Sequence, residues 1–262
     1  MINRHRNLLL PTLLLMLAST SLTAGEVIVA VAANFTDAAR QIATRFEQDT
    51  GHQAKISYGS TGKLYAQIEH GAPYEVFLAA DVKRPLRAEQ LGLAVTGSRF
   101  VYARGKLVLW GVAKDLFHDA ESYLQQGDFQ HLAIANPKTA PYGFAAHQVL
   151  QQLGLWHKLQ TRLVRGDSIA QTFQFVATGN AEAGFIAYSQ AKAWQGEPGS
   201  VWLIPQQYYD PIEQAAVLLN KGQDNPAAQA FMQFLGSEAA QTIISDFGYE
   251  VSAAPNHQDG SG

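Results

Sequence analysis

Four short turns in this 262-residue chain combine polar or turn-forming residues with the start of a helical pattern. They centre on Asn34, Thr61, Tyr142 and Ile169, and each follows a stretch that is predicted to be a β-strand. The first N–H groups of a helix have no acceptor within that helix, and the helix dipole places positive charge at the same end. Such ends bind oxyanions even where no lysine or arginine is present. The four turns therefore predict an anion site built from N–H and O–H donors.

Alternating strands and helices position these turns. The apolar run at residues 27–31 is typical of a strand that is buried on both faces of a parallel sheet. Between Phe35 and Phe46 the apolar residues recur at helical spacing, and Gly51 supplies a stop. Similar strand–helix units follow along most of the chain, which predicts sheets of mainly parallel strands with helices on both faces.

The alternation falls into two series, so we predict a two-lobed α/β fold with each lobe a mainly parallel sheet flanked by helices. Lobe 1 is predicted to comprise residues 25–103 and 208–251, and lobe 2 residues 104–207. The chain would cross between the lobes twice, which makes a hinge. Ligands of open α/β sheets bind beyond the carboxyl ends of the strands. Because two of the four turns belong to each lobe, we expect a ligand that is clamped in the cleft between them.

Both ends of the chain differ from this pattern. Arg4 and Arg6 precede an apolar run that ends in small residues near Ala24, as in a secretory signal peptide. Pro11 interrupts that run, which is shorter than the roughly 20 residues of a membrane span. We therefore predict that residues 1–24 are a cleaved signal peptide. The polar residues 252–262 are predicted to be a disordered tail.

The charge balance restricts the partners of the chain. Without Arg4 and Arg6, the 19 basic residues become 17 against 22 acidic residues, a net charge of −5. An acidic balance of this size argues against nucleic acid as a partner. A bound anion must then be held by local donors. The chain has no cysteine, so its stability must come from a packed core.

Several segments together resemble one family, the periplasmic molybdate-binding proteins of ABC importers, which have the type II solute-binding fold. The resemblance covers nearly the whole chain after the predicted signal peptide. It rests on the segments at residues 29–36, 58–68, 71–81, 136–143 and 175–185. The family implies a monomeric periplasmic receptor that performs no chemistry, needs no cofactor or metal cation, and delivers molybdate or tungstate to an inner-membrane ABC permease.

The resemblance also implies which residues contact the ligand. By motif, the Ser or Asn that opens the first helix falls on Asn34, and the Ser or Thr before the second helix falls on Thr61. Two backbone N–H contacts fall on Tyr142 and Ile169. Some members of the family add a tyrosine hydroxyl, and the nearest candidate here is Tyr188.

Two of these roles stay open. The ungapped alignment places Ala187 at the position of the family's tyrosine, so either Tyr188 or the hydroxyl of Tyr142 is a candidate for that contact. Asp167, two residues before Ile169, could cap the helix or contact the ligand, and we expect a cap.

The residue types agree with this ligand. Molybdate is a fully deprotonated dianion that offers only acceptors, so its site should offer only donors, as backbone N–H, Thr, Asn and Tyr groups do. Tungstate and sulfate share its charge and shape, and the sequence does not give the cavity size that would separate them. A binding protein for sulfate is therefore the alternative.

An exported serine hydrolase is a more remote alternative. Ser60 and Lys63 have the Ser-x-x-Lys spacing of penicillin-recognising enzymes, and Ser168 lies in a Gly-Asp-Ser block like that of one esterase family. The other motifs of both enzyme classes are missing, so we predict that the protein is not an enzyme.

Overall fold

The computed structural model describes residues 24–251. The predicted signal peptide, apart from Ala24, and the predicted tail at 252–262 lie outside the described residues. The strands in the described part of the chain are β1 (Glu26–Ala32), β2 (Gln53–Gly59), β3 (Val76–Leu78), β4 (Phe100–Gly105), β5 (Leu107–Gly111), β6 (Leu132–Ala135), β7 (Leu163–Gly166), β8 (Ala183–Ala187), β9 (Ser200–Leu203) and β10 (Ile212–Leu218). The α-helices are α1 (Thr36–Thr50), α2 (Thr61–Glu69), α3 (Lys83–Gln90), α4 (Ala120–Gln126), α5 (Pro141–Gln152), α6 (Trp156–Leu159), α7 (Ile169–Ala177), α8 (Tyr188–Ala193), α9 (Pro226–Leu235) and α10 (Glu238–Asp246).

The strands form two five-stranded sheets, in the orders β2-β1-β3-β10-β4 and β7-β6-β8-β5-β9. In the first sheet β1 is parallel to β2 and β3, whereas β10 is antiparallel to β3 and β4. The second sheet repeats this plan, with β6 parallel to β7 and β8, and β5 antiparallel to β8 and β9. Four strands of each sheet therefore run in one direction. The predicted two-lobed α/β fold is confirmed, with one reversed strand in each sheet.

The chain passes between the two sheets at two adjacent places. Strand β4 ends at Gly105 and β5 begins at Leu107, so the first crossing is the single residue Lys106. The return runs from the end of β9 at Leu203 to the start of β10 at Ile212. The predicted lobe limit at 207/208 lies within the return segment, and the limit at 103/104 falls inside β4, just before the first crossing. Both limits stay a prediction.

The two crossings are held side by side. Gly105 faces Ile212 in the pairing of β4 with β10. The backbone N–H of Leu107 donates a hydrogen bond of 3.1 Å to the hydroxyl of Tyr209, a buried residue of the return segment. A rotation of one lobe against the other is therefore concentrated in these few residues.

Helices cover both faces of each sheet. Phe46 of α1 and Phe231 of α9 pack edge to face on one side of the first sheet, and Ile68 of α2 lies in the cluster on the other side. In the second sheet, Leu150 of α5 lies in the apolar cluster on one face, and Val176 of α7 lies in the apolar cluster on the other face. Each large apolar side chain buried in this way contributes about 1.5–3 kcal/mol. No helix among the described residues is both long enough and apolar enough to span a lipid bilayer.

Gly105 gives a test of how tightly the lobes meet at the first crossing. A Cβ atom at this position would overlap the hydroxyl oxygen of Tyr142 and lie 2.8 Å from Nε2 of Gln214. We expect Gly105→Ala to lower the free energy of unfolding by about 1–3 kcal/mol, because overpacking displaces these buried groups. Urea unfolding followed by tryptophan fluorescence measures the change. Gly236→Ala is the control, since its Cβ would meet only the Gln233 carbonyl oxygen at 3.5 Å. Equal urea midpoints for Gly105→Ala and the unaltered protein would contradict this account.

Candidate functional site

A small cavity lies between the two sheets, where four helices begin. Its volume is about 10 Å³, which is close to the space that one water molecule needs. The lining residues come from both lobes: Ala32, Ala33, Asn34, Ser60, Thr61, Ala80, Ala140, Pro141, Tyr142 and Ile169. The structure thus brings together Asn34, Thr61, Tyr142 and Ile169, which are far apart in the sequence. Their contact with a ligand stays a prediction.

Tyr188 lies outside this lining. It is the first residue of α8, its backbone N–H donates to the Lys106 carbonyl, and its partly buried ring packs against the cluster that contains Trp110. The ring also lies against Gly248, where an added Cβ would come within 2.8 Å. Because its ring packs here, we leave Tyr188 out of the site.

The start of α2 contributes two hydroxyl groups. The Thr61 hydroxyl accepts a hydrogen bond of 3.1 Å from the Ala80 N–H, so its own proton stays available to a ligand. Ser60 is the N-cap residue of α2, yet its side chain makes no capping hydrogen bond. Its Oγ is buried and has no hydrogen-bond partner among the described residues. Sequence reasoning missed Ser60 as a site residue because serine at such a position is usually a cap.

The start of α5 contributes backbone donors. Pro141 is the first helical residue, so the first-turn N–H groups of α5 begin with Tyr142. Tyr142 is buried, and its hydroxyl accepts a hydrogen bond of 3.3 Å from Nε2 of Gln214 near the crossings. Burial raises the pKa of this hydroxyl well above its usual value, so it stays neutral.

The start of α7 is capped by Ser168, whose Oγ accepts from the Gln171 N–H at 3.3 Å. The expectation that Asp167 caps this helix is wrong, because a closer acceptor is already present at the N-cap position. The Asp167 carboxylate instead forms an exposed ion pair of 2.8 Å with Lys63 of the other lobe. Ile169 begins the helix, and its carbonyl accepts from Nε2 of Gln190 at 3.2 Å, which fixes this end of α7.

Asn34 lies in a short 3-10 turn before α1, and its side chain is held by two partners. Its Nδ2 donates to Oε1 of Gln214 at 2.9 Å and to the hydroxyl of Tyr249 at 3.1 Å. Its backbone carbonyl accepts from Tyr249 and from Ser189 of the other lobe. Both amide protons are therefore in use in this arrangement. Gln214 and Tyr249 were not found from the sequence because they lie 180 and 215 residues from Asn34.

Direct contacts between the lobes surround the cavity. The backbone N–H of Gly62 donates to the Thr139 carbonyl at 2.8 Å, and Nη2 of Arg84 donates to the Lys138 carbonyl at 3.2 Å. A side chain at position 62 would press on the backbone of Thr139 at 3.0 Å, so glycine permits this approach. The structure therefore shows the lobes closed on each other.

The wall of the cavity carries no charged side chain: among the described residues that line it, none is Lys, Arg, Asp or Glu. Each helix N-terminus carries about half a positive charge, so four termini together provide on the order of two charges. The arrangement can bind a compact dianion through N–H and O–H donors.

Known proteins are similar to this chain over both lobes. A family model for bacterial extracellular solute-binding proteins matches residues 27–250. The chain is 54% identical over 227 residues to the molybdate-binding protein ModA of Azotobacter vinelandii, covering 86% of this chain and 90% of that protein. It is 50% identical over 226 residues to ModA of Rhodobacter capsulatus, covering 86% and 88%. The solved structure of the A. vinelandii periplasmic molybdate-binding protein superposes with a TM-score of 0.83 at 42% identity, covering 86% of this chain and 99% of that one.

These matches extend over both lobes and both crossings, and they confirm the resemblance that the sequence motifs indicate. The chain belongs to the family of bacterial extracellular solute-binding proteins.

Proposed function

We propose that this protein captures molybdate, and also tungstate, in the periplasm and delivers it to an ABC importer of the inner membrane. The observation that carries the proposal is the cavity at four helix N-termini, which is lined by uncharged groups contributed by both lobes. The two ModA relatives, which are named as molybdate-binding, support the choice of ligand. The ligand contacts are the Ser60 and Thr61 hydroxyls, the backbone N–H groups of Tyr142 and Ile169, and Asn34.

A fully deprotonated tetrahedral dianion suits this donor set. It has only acceptor atoms, so a carboxylate in the wall would repel it, whereas a protonated phosphate would need such an acceptor. Asp167, the nearest acidic candidate in the sequence, pairs with Lys63 instead. Hydrogen bonds to a charged group contribute about 1.5–3 kcal/mol each. Roughly six of them support submicromolar binding after the cost of association.

Hinge motion accounts for entry of the ligand. An oxyanion with four oxygen atoms is larger than the water molecule that the closed cavity accommodates. Its walls belong to both lobes, so separation of the lobes opens the site and closure excludes water. The closed shape, with both lobes in contact, is the form that the importer receives. The protein acts as a monomer after removal of its signal peptide, and it catalyses no reaction.

Sulfate is the second candidate ligand, because it shares the charge and shape of molybdate. The donor set does not separate the two anions, and sulfate is the smaller. Isothermal titration calorimetry of the unaltered protein with sulfate, run in parallel with molybdate, separates the two candidates. If the protein binds sulfate more tightly than molybdate, sulfate is its ligand, and the location of the anion site is unaffected.

Removal of single donors tests the site. We expect Thr61→Ala and Ser60→Ala each to weaken molybdate binding by about tenfold or more, because each removes a hydrogen bond to a charged group. Isothermal titration calorimetry measures the affinity. Ser60→Ala should leave the melting temperature almost unchanged, since its hydroxyl makes no hydrogen bond to any residue between 24 and 251. Thr44→Ala, on the exposed side of α1, is the control. Unchanged affinity in both site variants would remove α2 from the site.

Closure of the lobes is tested in solution. We expect saturating molybdate or tungstate to reduce the radius of gyration, because the bound anion holds the N-termini of both lobes together. Small-angle X-ray scattering measures the change, with the planar monoanion nitrate as the control. If the scattering curves with and without molybdate superimpose although calorimetry shows binding, the hinge mechanism is wrong.

A further inference from the structure

A buried hydrogen-bond network lies between the cavity and the two crossings, and Gln214 is at its centre. Gln214 belongs to β10 and has no exposed surface. Its Oε1 accepts from Nδ2 of Asn34 at 2.9 Å and from the hydroxyl of Tyr102 at 3.1 Å. Its Nε2 donates to the hydroxyl of Tyr142 at 3.3 Å. One amide group therefore contacts a cavity residue of each lobe.

The hydrogen bonds of the Asn34 side chain run in a direction that does not suit a bound anion. Both Nδ2 protons of Asn34 are given to Gln214 and Tyr249. Among the described residues no group donates to Asn34 Oδ1, and this atom is not among the fully buried unpaired ones, so solvent can reach it. Asn34 lines the cavity, and the one atom of its amide that is left free in this arrangement is an acceptor. In this state the amide has no donor to offer to an oxyanion.

A half-turn of the Asn34 amide would present Nδ2 to the anion, but it requires a second change. Oδ1 would then face Oε1 of Gln214, and two acceptors repel each other. If the Gln214 amide turns as well, its Nε2 donates to Oδ1 and its Oε1 faces the Tyr142 hydroxyl. That hydroxyl can donate, because its proton has no acceptor among the described residues. Tyr102 can donate to the Ala79 carbonyl, 3.3 Å away, and accept from Nε2. Tyr249, which accepts from Nδ2 in the present arrangement, can donate to Oδ1 instead, because the Asn34 carbonyl keeps the hydrogen bond from Ser189. Every member of the network then keeps a partner.

We propose that Gln214 is a positioning residue whose amide turns over together with that of Asn34 when the anion binds. The turn exposes an Asn34 donor to the ligand and keeps the connection through Gln214 between Asn34 of one lobe and Tyr142 of the other. This proposal rests on the proposed function, since it requires an anion in the cavity.

The groups around the amide stay neutral over the usual pH range. Burial raises the pKa of the Tyr102, Tyr142 and Tyr249 hydroxyls above their ordinary value. Two carboxylates add to this effect, Asp81 near Tyr102 and Asp37 near Tyr249. No group of the network is therefore expected to titrate between about pH 6 and pH 9.

Gln214→Glu tests the direction of the hydrogen bonds. An ionised carboxylate can only accept, so it holds Nδ2 of Asn34 away from the ligand. Burial raises the pKa of such a carboxyl, in extreme cases to about 8–9. We expect molybdate binding to be weakened by at least about tenfold at pH 9 and to recover as the pH falls to about 6, where the neutral acid can donate as Gln does. Calorimetry of the unaltered protein should show no such pH dependence.

A double-mutant cycle separates this effect from repulsion by the new charge. If Gln214→Glu acts through Asn34, it should weaken binding at pH 9 by no more than about threefold in an Asn34→Ala background. A loss of the same size in both backgrounds overturns the proposal, as does a loss in Gln214→Glu that is independent of pH. Gln233→Glu, which adds a carboxylate at an exposed position on α9, is the control.

Side-chain amide NMR of the unaltered protein provides a test that does not depend on a variant folding. The NH₂ resonances of Asn34, assigned by their loss in Asn34→Ala, and those of Gln214, assigned with Gln214→Met, should shift together during a molybdate titration. Unchanged Gln214 resonances at saturation overturn the proposal while the proposed function stands. If calorimetry detects no molybdate or tungstate binding to the unaltered protein, the proposed function itself fails.

Discussion

A site that holds a dianion without a cationic side chain must keep several donors both dry and unpaired. An unpaired buried polar group costs about 1–3 kcal/mol, so most protein interiors contain few of them. Helix N-termini meet the requirement by construction, because their first N–H groups have no acceptor within the helix. The Ser60 hydroxyl adds a donor of the same kind, since it leaves the usual capping bond unmade. Four helices begin at one cavity, and the rest of the structure holds these helix starts in place.

The arrangement of the two sheets brings the four helix starts together. Parallel strands end at the same edge, so the helices that follow them begin at the same edge. Each sheet supplies two such helix starts, and the lobes must face each other for all four to meet. Gly62 lets the backbones of the two lobes approach to hydrogen-bond distance, and Gly105 leaves room for the Tyr142 hydroxyl beside the first crossing. Loss of either small residue would separate the helix starts.

Local patterns predicted most of the elements and the four turns, because apolar spacing and helix caps act over a few residues. The start of α9 is an example of such a local signal: Asn225 precedes Pro226, and its side chain accepts from the Ala227 N–H at 2.9 Å. The same local reasoning was wrong for Asp167, which resembles a cap but pairs across the lobes. The partners of Asn34 depend on the order of strands and on the path of the chain after α10, which no local pattern contains. The Tyr188 alternative likewise depended on packing around Trp110.

Strand β10 lies between β3 and β4 although almost 110 residues separate it from β4 in the chain. The first sheet therefore cannot close until residue 218 has been synthesised, whereas the second is formed entirely by residues 107–203. Contacts between distant segments form slowly because a long loop must be closed first. The inner lobe of the chain can thus assemble as a local unit, and the first lobe is completed around it. The hydrogen bond that holds the Asn34 carbonyl is in this way left to the end of the chain, because its donor Tyr249 follows all the strands of both sheets.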